Sequence, residues 1–506
     1  MRSSGLRYAF HQVHTPEEGT MPRTLTKSRY LDGLRCPKLL WTRWNRPEAV
    51  PRPGEDRRPI IEAGRAVEQL ARRIFPGAVE VPRFDNADEA VAATTHLLPR
   101  RVPLLEAAFS VAGRHCRVDV LLPAADEHWD LIEIKAGGKV RENHIRDLAF
   151  QYDTIIRAGL EIDRVHVVHL NSSYVRHGEI DITQLFTRVD VTDRVVRLAA
   201  YTDRTIQAMQ ELVAEGDPDT PIGSRCNVPH PCPLKPVCWG DLPANNVTLL
   251  HHGGRRIWEL MDSGIFTMDQ APDDRLSKRQ RIQKQTLATD KPHVDSDALR
   301  HWLDELVYPV YHLDFETMAP AMPAFDGVHP YQQIPFQYSL HIQHAPGAEP
   351  EHHEFLATEP GDPRPALTEA LLADAGTEGT VLAWNMAFEK LVIEELAEAD
   401  LVRAPRLMEV AKRLVDLITP FNAFMVHHPD QGGSCSLKAV LPAVTDLGYD
   451  DLNITAGAAA THSYERAMFG GIEPEERSRI LSDLRAYCGR DTEAMIAILA
   501  WLYGTV

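Results

Sequence analysis

Asp314 and Glu316 stand two apart at the end of the apolar run "VYHLDFETM" (310–318). Side chains two apart on a strand leave one face, so both acids project together. Glu389 follows Asn385 in "WNMAFEK", and Asp491 lies one helical turn after Tyr487 in "RAYCGRDTEA". Four carboxylates gathered from three separated segments repel one another unless cations neutralise them. The set therefore implies two divalent metals, Mg²⁺ or Mn²⁺, held by Asp314, Glu316, Glu389 and Asp491. Such a pair, about 3.5–4 Å apart, activates a water and stabilises the leaving oxygen of a phosphodiester. Tyr487 is placed to hydrogen-bond the attacking water, and Glu316 counts with it as catalytic. Asp416, in "RLVDLITPF", is a spare ligand or a helix cap. The bland alternative is a strand running out into solvent.

A second constellation lies upstream. Glu133 and Lys135 are two apart in "WDLIEIKAG", and Asp119 sits in the preceding "CRVDVLLPA". Carboxylates at 119 and 133 suit one or two divalent ions that lower the pKa of a bound water, while Lys135 orients that water or offsets charge on a phosphate. Glu68, on the preceding helix, is a further candidate ligand. A surface hairpin with a cross-strand ion pair is the competing reading.

The elements that must position these residues are legible. "RPIIEAGRAVEQLARRIF" carries Ile61, Val67, Leu70 and Ile74 at helical spacing. Residues 116–124 and 129–137 read as two strands, "NHIRDLAFQYDTIIRAGL" as an amphipathic helix and "RVHVVHLN" as a strand. "RRIWELMDSGIFTMDQAP" (255–272) reads as a helix, a glycine turn and another helix, a plain connector in preference to a small nucleic-acid-contacting unit of hairpin type. Beyond 305, three early strands, a helix and a fourth strand precede the long helical pattern that carries Tyr487 and Asp491. "SCSLKAVLP" (434–442) reads as a flanking helix.

The chain has 506 residues, 44% hydrophobic and 25% charged, with a net charge of −18. At about 100–200 residues per domain this suggests about three domains. The expected division is a disordered leader over 1–23, a first domain over 24–242, a helical connector over 243–304 and a last domain over 305–506. No apolar stretch spans a bilayer and no secretory signal is read at the start, so the cytoplasm is the default compartment. The acidic balance excludes a protein coated in basic surface, but basic residues concentrate between 23 and 58 and in "RLSKRQRIQKQ" (275–285). Of seven cysteines, Cys226, Cys232 and Cys238 crowd one proline-rich segment and Cys36 lies far upstream. Cys116, Cys435 and Cys488 read as small core residues.

"DV" on one strand, "EIK" on the next and "DLAFQY" on the following helix together resemble the RecB-like branch of the PD-(D/E)XK nucleases. That resemblance implies a restriction-endonuclease-like fold, with Asp119 and Glu133 as metal ligands and Lys135 as the catalytic lysine. Gln151 is then the helical glutamine that contacts substrate. The branch's usual tyrosine four residues on is Ile155 here, with Tyr152 as a stand-in, and Glu68 falls where histidine is common. Some RecB-family nucleases clamp a 4Fe–4S cluster with one cysteine before the core and three after it, a layout matched by Cys36, Cys226, Cys232 and Cys238. Thiolates suit iron–sulfur or zinc, and this spacing is unlike a zinc ribbon, so zinc stays as the alternative and free thiols as a third.

D-x-E, then N-x-x-F-acid with Asn385, then Y-x-x-x-D resembles the tyrosine-bearing DEDD exonucleases, although the third acid, Glu389, is usually Asp. This implies an α/β ribonuclease H-like (DnaQ-type) fold and 3′-to-5′ release of nucleotides. The whole chain resembles an uncharacterised bacterial family that fuses the two nuclease domains through a small helical segment. Such a fusion implies a nucleic-acid partner, DNA before RNA, with single strands or free ends favoured, no membrane, and a role in DNA repair or defence. Tyr30, Trp41 and Trp44 are candidate stacking platforms for bases. The alternative is a non-catalytic nucleic-acid-binding scaffold built from degenerate nuclease folds.

Overall fold

The computed structural model describes residues 24–52 and 58–506, so the expected leader lies outside the described residues. The architecture is mixed α/β with two large sheets, one in each half. In the first half β1 (Leu25–Thr26), β2 (Val79–Glu80), β3 (Leu104–Val111), β4 (Arg114–Pro123), β5 (Trp129–Lys135), β6 (Ile162–Leu170) and β7 (Phe186–Asp190) form one sheet. Its order is β2-β3-β4-β5-β6-β7, with β1 paired to β4. β3, β4 and β5 run antiparallel. Helix Glu142–Arg157 then carries the chain back, so β6 pairs parallel to β5, as a crossover requires.

β5 alternates between two cores. Leu131 packs with Leu148 and Phe150, whereas Ile132 and Ile134 pack with Val67 and Ala71 of helix Arg58–Arg72. Glu133 and Lys135 share Leu131's face. They look toward helix Glu142–Arg157.

β8 (His293–Val294) belongs to a two-stranded ribbon. In the second half β9 (Val310–Met318), β10 (Ile334–Gln343), β11 (Glu351–Leu356), β12 (Thr380–Ala383) and β13 (Leu414–Asp416) form a sheet ordered β11-β10-β9-β12-β13, while β14 (Val426–His427) pairs with β8. The first three strands of the larger sheet are antiparallel, and β12 and β13 are parallel to β9. Tyr311, Leu313 and Phe315 face helices Arg364–Asp374 and Ala387–Ala399. Val310 and Met318 face helix Pro474–Thr505. Period two thus aims Asp314 and Glu316 at the helix that carries Tyr487 and Asp491. β13 was not anticipated, because three residues are too short for a periodic signal.

One expected element is absent. Helix Arg255–Asp262 and the turn at Gly264 form, but Ile265–Thr267 then runs extended and Thr267 bridges Asn246. β-Branched residues ahead of Pro272 favour that conformation. The next helix, Lys278–Thr289, starts inside the basic run, where Ser277 and Gln280 form a capping box.

The halves dock through the long excursion 319–333 between β9 and β10. Ala321 and Met322 join the core of Ile132 and Leu170. Arg176 donates to the carbonyls of Pro323 (3.1 Å) and Ala324 (2.7 Å), and Tyr331 donates to the Ala136 carbonyl at 2.7 Å.

Candidate metal and cluster sites

In the C-terminal half Asp314, Glu316 and Asp491 each place a carboxylate oxygen within 4.8 Å of the others. The first two come from β9 and the third from the terminal helix, 175 positions beyond Glu316. Burial pushes Asp314 and Glu316 well above the ordinary carboxylate range, and Asp491's charge pushes both further. Burial also raises Asp491, to about 6, against the bonds from Tyr449 and Tyr487 and the charge of Lys438. Tyr449 donates to Asp491 Oδ1, and Cys488 Sγ lies 3.5 Å from Asp314 Oδ2.

Glu389, on the first turn of helix Ala387–Ala399, is 2% exposed, and its Oε2 has no hydrogen-bond partner. Burial lifts it to about 8, with Asp416 adding to the shift. Its charge is felt at Asp314, so it stands beside the set of three. Asp416 accepts from the backbone N–H of Asn385 (3.0 Å) and Ile418 (3.3 Å), bracing two turns without capping the helix that follows either one. Asn385 itself is exposed and left-handed (φ 70), a turn conformation that asparagine tolerates.

Lys438 and Tyr449 escaped the sequence reading. Lys438 Nζ donates to the Tyr487 oxygen at 3.0 Å and lies 5.0 Å from the centres of the Tyr449 and Tyr487 rings. It was visible as the one cation of the apolar "SCSLKAVLP"; Tyr449 carried no signal. Among the described residues, none of Asp314, Glu316, Glu389 and Asp491 forms an ion pair. Unpaired, buried oxygen donors fit a hard divalent cation, so Mg²⁺ or Mn²⁺ suits the residues present. Asp314, Glu316 and Asp491 line a cavity of about 650 Å³ together with Ile60 and Gly64 of the first half; Glu389 is buried behind it.

The N-terminal cluster is built differently. Glu133 is 1% exposed, and both its oxygens are taken. Oε1 accepts from Lys135 (2.5 Å) and Lys27 (3.0 Å), and Oε2 accepts from Gln151 (2.8 Å). Gln151 also donates to Asp147 (2.9 Å), which lies 3.2 Å from Lys135. Burial alone would raise Glu133, but Lys135 and Lys27 hold it below its ordinary value. Burial and the Glu133 charge push Asp119 up to about 7 and Asp147 upward. The β4–β5 register runs from Val120↔Ile132 to Pro123↔Trp129; beyond it Asp119 Oδ2 accepts the Ile134 N–H at 2.7 Å.

So Asp119, Glu133, Lys135 and Gln151 converge, and Lys27 and Asp147 join them. Asp147 was detectable as the i−4 partner of Gln151; Lys27 was one basic residue among many. Glu68 does not converge. It sits on the helix that covers the opposite face of β5 and pairs with Arg72 (2.5 Å), which also binds Glu106 (2.6 Å). Tyr152 packs on the hydrophobic core, where Ile155 is fully buried. Tyr30 is 2% exposed and stacked on Phe150, and Trp41 is buried with its Nε1 bonded to the Glu215 carbonyl (2.9 Å). Both rings are core residues rather than base platforms. Trp44 is half-buried beneath the Arg29 guanidinium.

The four cysteines meet. Cys36, Cys232 and Cys238 pack around Leu39 and Leu234, and the Cys226 carbonyl accepts the Cys232 N–H at 2.7 Å. Burial raises the Cys232 and Cys238 thiols, and Cys36 and Cys226 act on both through charge. All four are free of disulfides. Four thiols from two ends of the domain fit a soft-metal centre.

Residues 311–436 match the family described as a domain of unknown function (DUF2779), a span that holds Asp314, Glu316 and Glu389 but stops short of Tyr487 and Asp491. The chain is also 25% identical over 209 residues to the uncharacterized protein UU173 of Ureaplasma parvum. That match covers 37% of this chain and 30% of the relative, so the chain spans less than a third of the relative's length.

Proposed function

We propose that the protein is a metal-dependent nuclease that hydrolyses phosphodiester bonds of DNA, and secondarily RNA, at the C-terminal carboxylates. The observation that carries this reading is the convergence of Asp314, Glu316 and Asp491 within 4.8 Å, without any paired cation, at a cavity wall. Asp314, Glu316 and Asp491 would hold one Mg²⁺ or Mn²⁺, and Glu389 with Asp314 a second. When bound, the ions supply a water activated at neutral pH and neutralise charge on the phosphate. Tyr449 and Tyr487 fix the orientation of Asp491. Lys438 donates to the Tyr487 oxygen and so leaves the phenol proton free to point toward Asp491 or a water. Buried Cys488 closes the floor behind Asp314.

Strand order β11-β10-β9-β12-β13, antiparallel then parallel, supports a ribonuclease H-like domain, and with it the tyrosine-bearing DEDD reading and 3′-to-5′ polarity. The convergence of Asp119, Glu133, Lys135 and Gln151 supports a RecB-like PD-(D/E)XK domain, which cuts or grips the same nucleic acid. The cysteines favour a 4Fe–4S cluster over zinc. The run Cys226, Cys232 and Cys238 lacks the paired C-x-x-C spacing of a zinc ribbon, and zinc stays as the alternative.

End-labelled single- and double-stranded DNA and RNA, digested with Mg²⁺ or Mn²⁺, test the reading with Asp314→Asn and Lys135→Ala beside the parent. Loss in Asp314→Asn alone assigns cleavage to the C-terminal half. No cleavage by the parent with either metal defeats the proposal and leaves the non-catalytic scaffold. Iron and sulfide analysis after anaerobic purification decides the cluster.

A further inference from the structure

The connector holds a feature that neither acidic site uses. A basin of about 690 Å³ opens between the starts of helices Arg255–Asp262 and Lys278–Thr289, lined by Arg255, Arg256, Lys278 and Arg279. Arg255 pairs with Glu259 on its own helix, and Arg256 bonds Gln280 at 3.2 Å. Among the described residues no carboxylate lies within ion-pair reach of Lys278 or Arg279. In a chain of net charge −18, such a group of cations is a local reversal of the overall field.

The rim is also open. His251 lines the basin at 6% exposure, its ring edge-on to His252 and Phe424. Gly253 and Gly254 bare the backbone at the rim. A Cβ on Gly253 would lie 2.5 Å from an Ile257 side-chain carbon, and Gly254 holds φ 50, ψ −129, where side chains are strained. No side chain caps the helix that follows Gly254, although the Arg256 N–H donates to the Gly253 carbonyl at 3.0 Å.

We propose that this basin seats consecutive phosphates of a nucleic-acid backbone, anchoring the strand that the C-terminal site cuts. Arg255, Arg256, Lys278 and Arg279 would neutralise phosphates, and the bare glycine loop lets the backbone approach closely. Such contacts position a strand without reading its bases. The proposal deepens the nuclease reading and rests on it for the nature of the ligand.

The test is binding of a fluorescein-labelled oligonucleotide, single-stranded and duplex, to the full chain in chelator, where no cleavage is possible, across a salt series. Lys278→Ala/Arg279→Ala is compared with the parent and with Arg300→Ala/Lys412→Ala, an equal charge loss elsewhere. Each lost phosphate contact should flatten the log–log salt slope by about 0.7 on a single strand and about 0.9 on a duplex. The basin variant is expected to bind more weakly with a flatter slope and an unchanged melting temperature, and the control to behave as the parent. Equal slopes for all three proteins, equal losses in both variants, or a parent that does not bind overturn the proposal. So does poly-glutamate competing as well as the unlabelled oligonucleotide, which would make the basin an acidic-peptide site. A parent that binds but never cuts defeats the nuclease reading, and the slopes still decide the basin.

Discussion

The two carboxylate clusters meet the same electrostatic problem in opposite ways. In the N-terminal half, Glu133 and Asp147 are neutralised from within by Lys27 and Lys135, and Gln151 ties them together. In the C-terminal half Asp314, Glu316, Glu389 and Asp491 have no ion pair among the described residues, and all four are raised. The first cluster is compensated as it stands; the second has no ion-paired cation among the described residues, and its acids are held toward the protonated form. Buried charge is tolerated only when compensated, so the source of compensation separates a resting network from an open site.

The sharpest way to break this comparison is to remove one acid from each cluster. Asp314→Asn should cost hydrolysis at least about 100-fold, more than loss of an outer-shell contact, while raising the melting temperature of the metal-free chain. Glu133→Ala should do the reverse to stability. It strands two lysines beside Asp147 and should lower the unfolding free energy by about 3–5 kcal/mol in urea titrations. Equal and opposite failures, a destabilised Asp314→Asn or a stable Glu133→Ala, would erase the distinction.

A smaller effect sharpens it. Between its ordinary value of 4.5 and about 8, Glu389 holds a proton in the folded chain that it lacks when unfolded. Stability of the metal-free protein should therefore fall as pH rises through that window, and saturating Mg²⁺ should flatten the dependence. Binding should also tighten with pH and release protons, which calorimetry in buffers of different ionisation heat would read. Glu133, held low, contributes the opposite slope: its stabilisation is present above 4.5 and is lost as pH falls below that value.

Much of this was legible in residue order. The alternation in "VYHLDFETM" put Asp314 and Glu316 on one face, and the i, i+4 spacing of Tyr487 and Asp491 did the same on the terminal helix. The hairpin of β4 and β5 and the helix bearing Gln151 came from apolar periodicity. Glu68 was misassigned because helical spacing does not say which face of a sheet a helix will cover. Ile132 and Ile134, one residue out of phase with Glu133, seat that helix on the wrong side. Tyr30 and Trp41 were misread because an aromatic in a basic segment looks the same whether it stacks on a base or on Phe150.

The sequence by itself determined residue types, strand phase and helix phase, since these depend on chain stereochemistry over a few residues. Which charges meet was decided only by tertiary structure. Lys27 reaches Glu133 across 106 positions, and Lys438 reaches Tyr487 across 49. No local preference encodes such pairings; they follow from how sheets and helices bury their apolar faces, and that packing leaves one acidic cluster satisfied and the other open.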